Sequence, residues 1–144
     1  MSKKKKIRKA TKARAPVMIA LLLHPEVELA ERLAVDALTQ DYAAEGHFNT
    51  LWDCNAMMIF SLKGKPDMSA NAITEMASIA LESIHDRYYK HKVVRATGDE
   101  LHALRAMVEF SSDYWRRQGG GRFEMAYKTV NRCKKLYEAE RKAA

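Results

Sequence analysis

The apolar residues of this chain recur every three or four positions in stretch after stretch, and no run alternates with period two. Side chains three and four apart share one face of a helix, so each stretch can bury a stripe and keep its other face in water. The expectation is an all-α chain, a single bundle of five or six helices with no real sheet. At 144 residues, 47% hydrophobic and 30% charged, it fits one soluble domain with material for a core.

Punctuation between the stretches sets the predicted elements. Pro16 and Pro25 bracket a short apolar segment of two helical turns. Pro25 then opens a second helix, Glu26 to about Glu45, with the stripe Val27, Ala30, Leu33, Ala34, Ala37, Leu38 and Tyr42, ended by Gly46. A third runs from Asn49 or Thr50 to Leu62, with Leu51, Asn55, Met58, Ile59 and Leu62 on one face and Trp52 beside it. Lys63-Gly64-Lys65-Pro66 stops it: positive charge, a glycine for a left-handed cap, then a proline. Asp67 or Ser69 caps a fourth helix to about Tyr89, with the stripe Ile73, Met76, Ala77, Ala80, Ile84 and Tyr88 and with Leu81 alongside. Residues 90–96 are a connector. Thr97-Gly98-Asp99-Glu100 has the spacing of a capping box and starts a fifth helix to Arg117, on the stripe Leu101, Leu104, Met107, Val108, Ser111, Tyr114 and Trp115. Gly119-Gly120-Gly121 breaks the chain, and a last helix runs from Arg122 to Lys142 with Phe123, Ala126, Tyr127, Val130, Cys133 and Tyr137 on one face.

Charge divides the chain differently. Residues 1–14 hold eight bases (Lys3, Lys4, Lys5, Lys6, Arg8, Lys9, Lys12 and Arg14) and no acid, although the whole chain is only +7. Like charges repel, so residues 1–15 are expected to be a disordered basic arm ahead of a helical bundle domain at 16–144. Within the body, residues 17–46 carry six acids against one base, and residues 101–144 carry ten bases against five acids. Either the acidic second helix packs beside the basic last one, or the C-terminal hairpin presents a second basic face.

A solvated polycation beside a near-neutral body points to a polyanion. Lysines and arginines hold phosphates without reading bases, so the expected partner of the arm is DNA or RNA, engaged with little sequence preference. A protein partner is the competing reading. Arg116, Arg117 and Arg122 flank the glycine run and form the expected secondary patch. Tyr88, Trp115 and Tyr127 lie on apolar stripes and are read as core, whereas Tyr89 is read as a surface contact.

Other classes find little support. The longest apolar run, Val17 to Leu23, is too short to span a membrane, and no small-residue cleavage site follows it. Self-association through that run is a further expectation. Cys54 and Cys133 provide no disulfide framework, suit a reducing cytoplasm, and read as buried thiols. The five histidines have no ligand spacing, and Asp53-Cys54 and His85-Asp86 are helix neighbours pointing apart. No catalytic residue, metal ligand or cofactor is predicted, so the chain is expected not to be an enzyme.

The opening Lys3-Lys4-Lys5-Lys6-Ile7-Arg8-Lys9 and the helix start Thr97-Gly98-Asp99-Glu100-Leu101-His102-Ala103-Leu104-Arg105 resemble segments of small uncharacterised helical proteins from proteobacterial phages and plasmids. The resemblance implies a mobile-element accessory protein. It gives weight to DNA transactions and, as the alternative, to an adaptor or inhibitor of a host or defence protein that docks through helical faces. It carries over no site residue.

Overall fold

The computed structural model describes residues 25–143, apart from Pro66 and Gly119. The described residues form five helices and no strand. They are α1 (25–39), α2 (Glu45–Leu62), α3 (Met68–His91), α4 (Gly98–Arg117) and α5 (Gly120–Ala143). The basic arm and the Val17–Leu23 segment lie outside the described residues.

Local chemistry explains most of the boundaries. Asp67, not Ser69, is the N-cap of α3: its Oδ1 accepts from the Ala70 amide at 3.0 Å. The capping box of α4 is formed, with Thr97 Oγ1 accepting from Glu100 N at 3.3 Å and Thr97 N donating to Glu100 Oε2 at 3.0 Å. Gly64 takes the left-handed conformation (φ 79°) just past the end of α2, where a side chain would be strained. Three expected boundaries move, and the first is the start of α2, which lies at Glu45 rather than at Asn49 or Thr50. α1 stops at residue 39, and Asp41 (φ 61°) makes the left-handed turn, so Gly46 lies in the first turn of α2. The glycine run leaves a shorter gap than expected, because Gly120 and Gly121 already belong to α5.

α2 is the central helix and touches α3, α4 and α5. Asn55 Nδ2 donates from α2 to Ser78 Oγ (2.8 Å) and Thr74 O (3.3 Å) on α3, which explains a polar residue on an apolar face. Ala70, Ala77 and Ala80 are buried along α3, where small side chains let neighbouring helices approach. One core joins Ala34, Val35 and Leu38 of α1 to Leu51 and Cys54, Leu81 and Ile84, and Leu104, Met107 and Val108. A second, at the other end of α2, joins Met57, Met58 and Leu62 to Trp115, Phe123, Ala126 and Val130. Each large side chain so buried contributes about 1.5–3 kcal/mol against the entropy of ordering the chain.

Four predicted stripes are rotated or shortened. In α1 the buried line is Glu31, Ala34, Val35, Ala37 and Leu38, whereas Ala30, Leu33 and Tyr42 are exposed. In α2 and α3, Ile59 and Met76 face solvent, and Cys54, Met57, Ala70 and Thr74 take buried places. In α5 the last buried residue is Val130, and Cys133 and Tyr137, placed on the stripe by their spacing, are exposed. Of the two thiols, only Cys54 is buried.

Candidate nucleic-acid interface

Arg116 and Arg117 occupy the last turn of α4, and Arg122 lies near the start of α5. The three are close in sequence but differ in availability. Arg116 Nη2 binds Glu28 Oε1 of α1 at 2.9 Å, and its Nη1 lies 3.8 Å from Asp113. Glu28 also accepts from Ser112 Oγ and from Arg32 Nη2 (3.1 Å). The Ser112 hydrogen bond leads the interactions that hold the Glu28 carboxyl below its usual range, against an opposing push from burial, with Arg32 and Arg116 adding to it. Arg116 is thus part of a clasp between α1 and α4. Arg122 donates to Gln118 Oε1 at 3.0 Å. Arg117 is exposed and has no partner among the described residues.

A larger basic surface lies on α5, in the C-terminal hairpin whose excess of bases is legible in the sequence. Every residue of α5 from Arg132 to Ala143 is exposed. Arg132, Lys135, Arg141 and Lys142 have no ion-pair partner among the described residues. Lys128 and Lys134 are paired, to Glu124 (2.6 Å) and to Asp53 on α2 (2.8 Å). Lys128, Arg132, Lys135 and Lys142 follow the spacing of one helix face about 21 Å long. Glu138 and Glu140 interrupt the positive charge but do not cancel it. The available signal in the sequence was the scarcity of apolar residues after Val130.

Aromatic residues divide by burial. Trp115 is buried, and Tyr88, Tyr114 and Tyr127 are half-buried, packed against the two cores. Tyr89 is 72% exposed, with Lys92 Nζ 5.1 Å from its ring centre. It ends a surface series in which neighbouring rings, Trp52, Phe48, His85 and Tyr89, lie 5.9 to 6.4 Å apart. Arg87, two residues before Tyr89, is taken up by Glu100 (2.8 Å) and the Arg95 carbonyl (2.6 Å).

The described residues contain no group of three metal-ligating side chains, and no described helix is long and apolar enough to cross a membrane. Comparison with family models, with curated proteins and with solved structures finds no match to this chain.

Proposed function

We propose that the protein is a non-enzymatic nucleic-acid-associated factor that holds DNA or RNA by its phosphates, with little sequence preference. The observation that carries the reading is the far half of α5, twelve residues of exposed helix with four unpaired bases. An exposed helix face of spaced cations follows a phosphate backbone, and each counterion displaced adds to affinity and to its salt dependence. The arm residues Lys3–Lys6, Arg8, Lys9, Lys12 and Arg14 supply the same kind of contact. Arg117 and Arg122 extend it at the α4–α5 corner, while Arg116 stays in its clasp with Glu28. Tyr89 and Trp52 offer exposed rings for stacking unpaired bases.

The test is binding of the full chain to duplex DNA and to single-stranded RNA across a salt series. Replacing Arg132, Lys135, Arg141 and Lys142 by glutamine should lower the slope of log affinity against log salt by about 0.9 for each duplex phosphate no longer neutralised. An unchanged slope would refute the assignment to α5.

A second reading has its own observation. Trp52, Ile59 and Phe60 on α2, and Met76 and Ile79 on α3, are large apolar side chains left 38–62% exposed. Such surface suits a protein partner. Capture of partners from nuclease-treated lysate at high salt separates the two: a partner that survives favours docking through α2 and α3.

A further inference from the structure

Between α1, α2 and α5 lies a partly enclosed cavity of about 160 Å³. Val27 and Ala30 of α1, Met57 of α2 and Val130 of α5 give it apolar walls. Glu31, a residue only 4% exposed, is also in its lining. Among the described residues Glu31 has no ion-pair partner, and its hydrogen-bonding neighbour there is the buried thiol of Cys54.

A buried carboxylate with no cation opposite is costly, because ionisation in an apolar surrounding forfeits hydration. The charged groups nearby are engaged elsewhere. On α1 itself, Arg32 binds Glu28, which in turn takes Arg116 from α4; the charges of Glu28 and Arg32 reach Glu31 only as lesser, opposing influences. On α2, Asp53 is bridged to Lys134 of α5, and Cys54 is held in its neutral form chiefly by burial. α5 adds the phenol of Tyr127 and the amide of Asn131 to the lining, and neither carries a positive charge. The cavity therefore combines an apolar chamber, the volume of about five water molecules, with one buried acid that forms no ion pair with a described residue.

We infer that this cavity is a binding site for a primary ammonium group on a short aliphatic chain, with Glu31 as its counter-ion. An alkyl stem of about four carbons fills the walls of Val27, Met57 and Val130, and its ammonium supplies the cation that Glu31 lacks. Binding selects the ionised carboxylate. Burial, the leading cause, raises the Glu31 carboxyl to about 7, so affinity should increase about tenfold between about pH 6 and about pH 8. The group could come from a free amine or from a lysine side chain of another protein, and the two probes below separate them.

The experiment titrates the full chain with n-butylammonium, with neutral n-butanol as the shape control, following the Glu31 carboxyl carbon by NMR and the heat by calorimetry. Butylammonium should bind at least about tenfold more tightly than butanol and shift the Glu31 resonance. Glu31→Gln keeps the shape of the side chain and should abolish the preference. Ala30→Phe blocks the chamber from its rim without touching the acid and should weaken both probes. Stronger binding of N-acetyl-lysine methylamide than of butylammonium assigns the site to a lysine side chain, and weaker binding assigns it to a free amine. Equal binding of butylammonium and butanol, binding unchanged in Glu31→Gln, or no binding at millimolar concentration would overturn the proposal.

Discussion

α1 meets the rest of the molecule along two flanks, and two glutamates one turn apart have opposite chemistry there. Glu28 faces α4, where Ser112, Arg32 and Arg116 converge on it and favour its ionised form. Glu31 faces α2, where it meets Cys54 and an apolar wall, and burial favours its protonated form. The residue type is the same, so the difference comes from the neighbours on the facing helices. A polar flank turns a carboxylate into a clasp, and an apolar flank turns the same group into a liability unless something binds it.

The largest expected effect tests the apolar flank. A carboxyl at 4.5 when unfolded and about 7 when folded binds more protons in the folded state between those values. Stability therefore falls as pH rises through that window. Glu31→Gln should remove the decline and stabilise the protein by about 3 kcal/mol at pH 8 relative to the wild type, read from chemical denaturation. A wild-type stability that is flat between pH 5 and pH 8 would erase the contrast between the flanks.

The clasp predicts the opposite slope. The Glu28 carboxyl is lowered, so its stabilisation is present above 4.5 and is lost as pH falls through its folded value. Glu28→Gln should cost about 1–2 kcal/mol at neutral pH and flatten the acid limb of the stability profile. Thr97→Ala removes the side-chain half of the α4 capping box, away from both flanks, and should cost about 1 kcal/mol with no change in either limb. The smallest effect belongs to the exposed end of α5. Substituting Leu136 and Tyr137 by serine should change stability by less than about 0.5 kcal/mol, because both side chains are mostly exposed. Hydrogen exchange should be fast after Val130 and slow at Leu51 and Leu104, which sit in the core.

Much of the helical layout was legible in the sequence, and the reason is local. The Thr97–Glu100 box, the Asp67 cap and the Gly64 stop act within one turn of their own positions. Stripes were legible to about one residue of rotation, since a step of one residue turns a helix face by about 100°. That latitude was enough to place Leu33 and Ile59 inside and to overlook Glu31. The proposed contacts show the same boundary. Arg116, Arg117 and Arg122 look equivalent as a string, and only the approach of α1 brings Glu28 to the first of them.

Periodicity, caps and composition were enough to establish that the chain is helical, where most helices start and stop, and that its positive charge gathers at its two ends. None of these needs a partner element. Which glutamate is clasped and which is buried, which cysteine is exposed, and that burial along α5 stops at Val130 were decided by tertiary packing. Those outcomes depend on burial and on charges brought close from distant parts of the chain, and both exist only once the helices have been laid against each other.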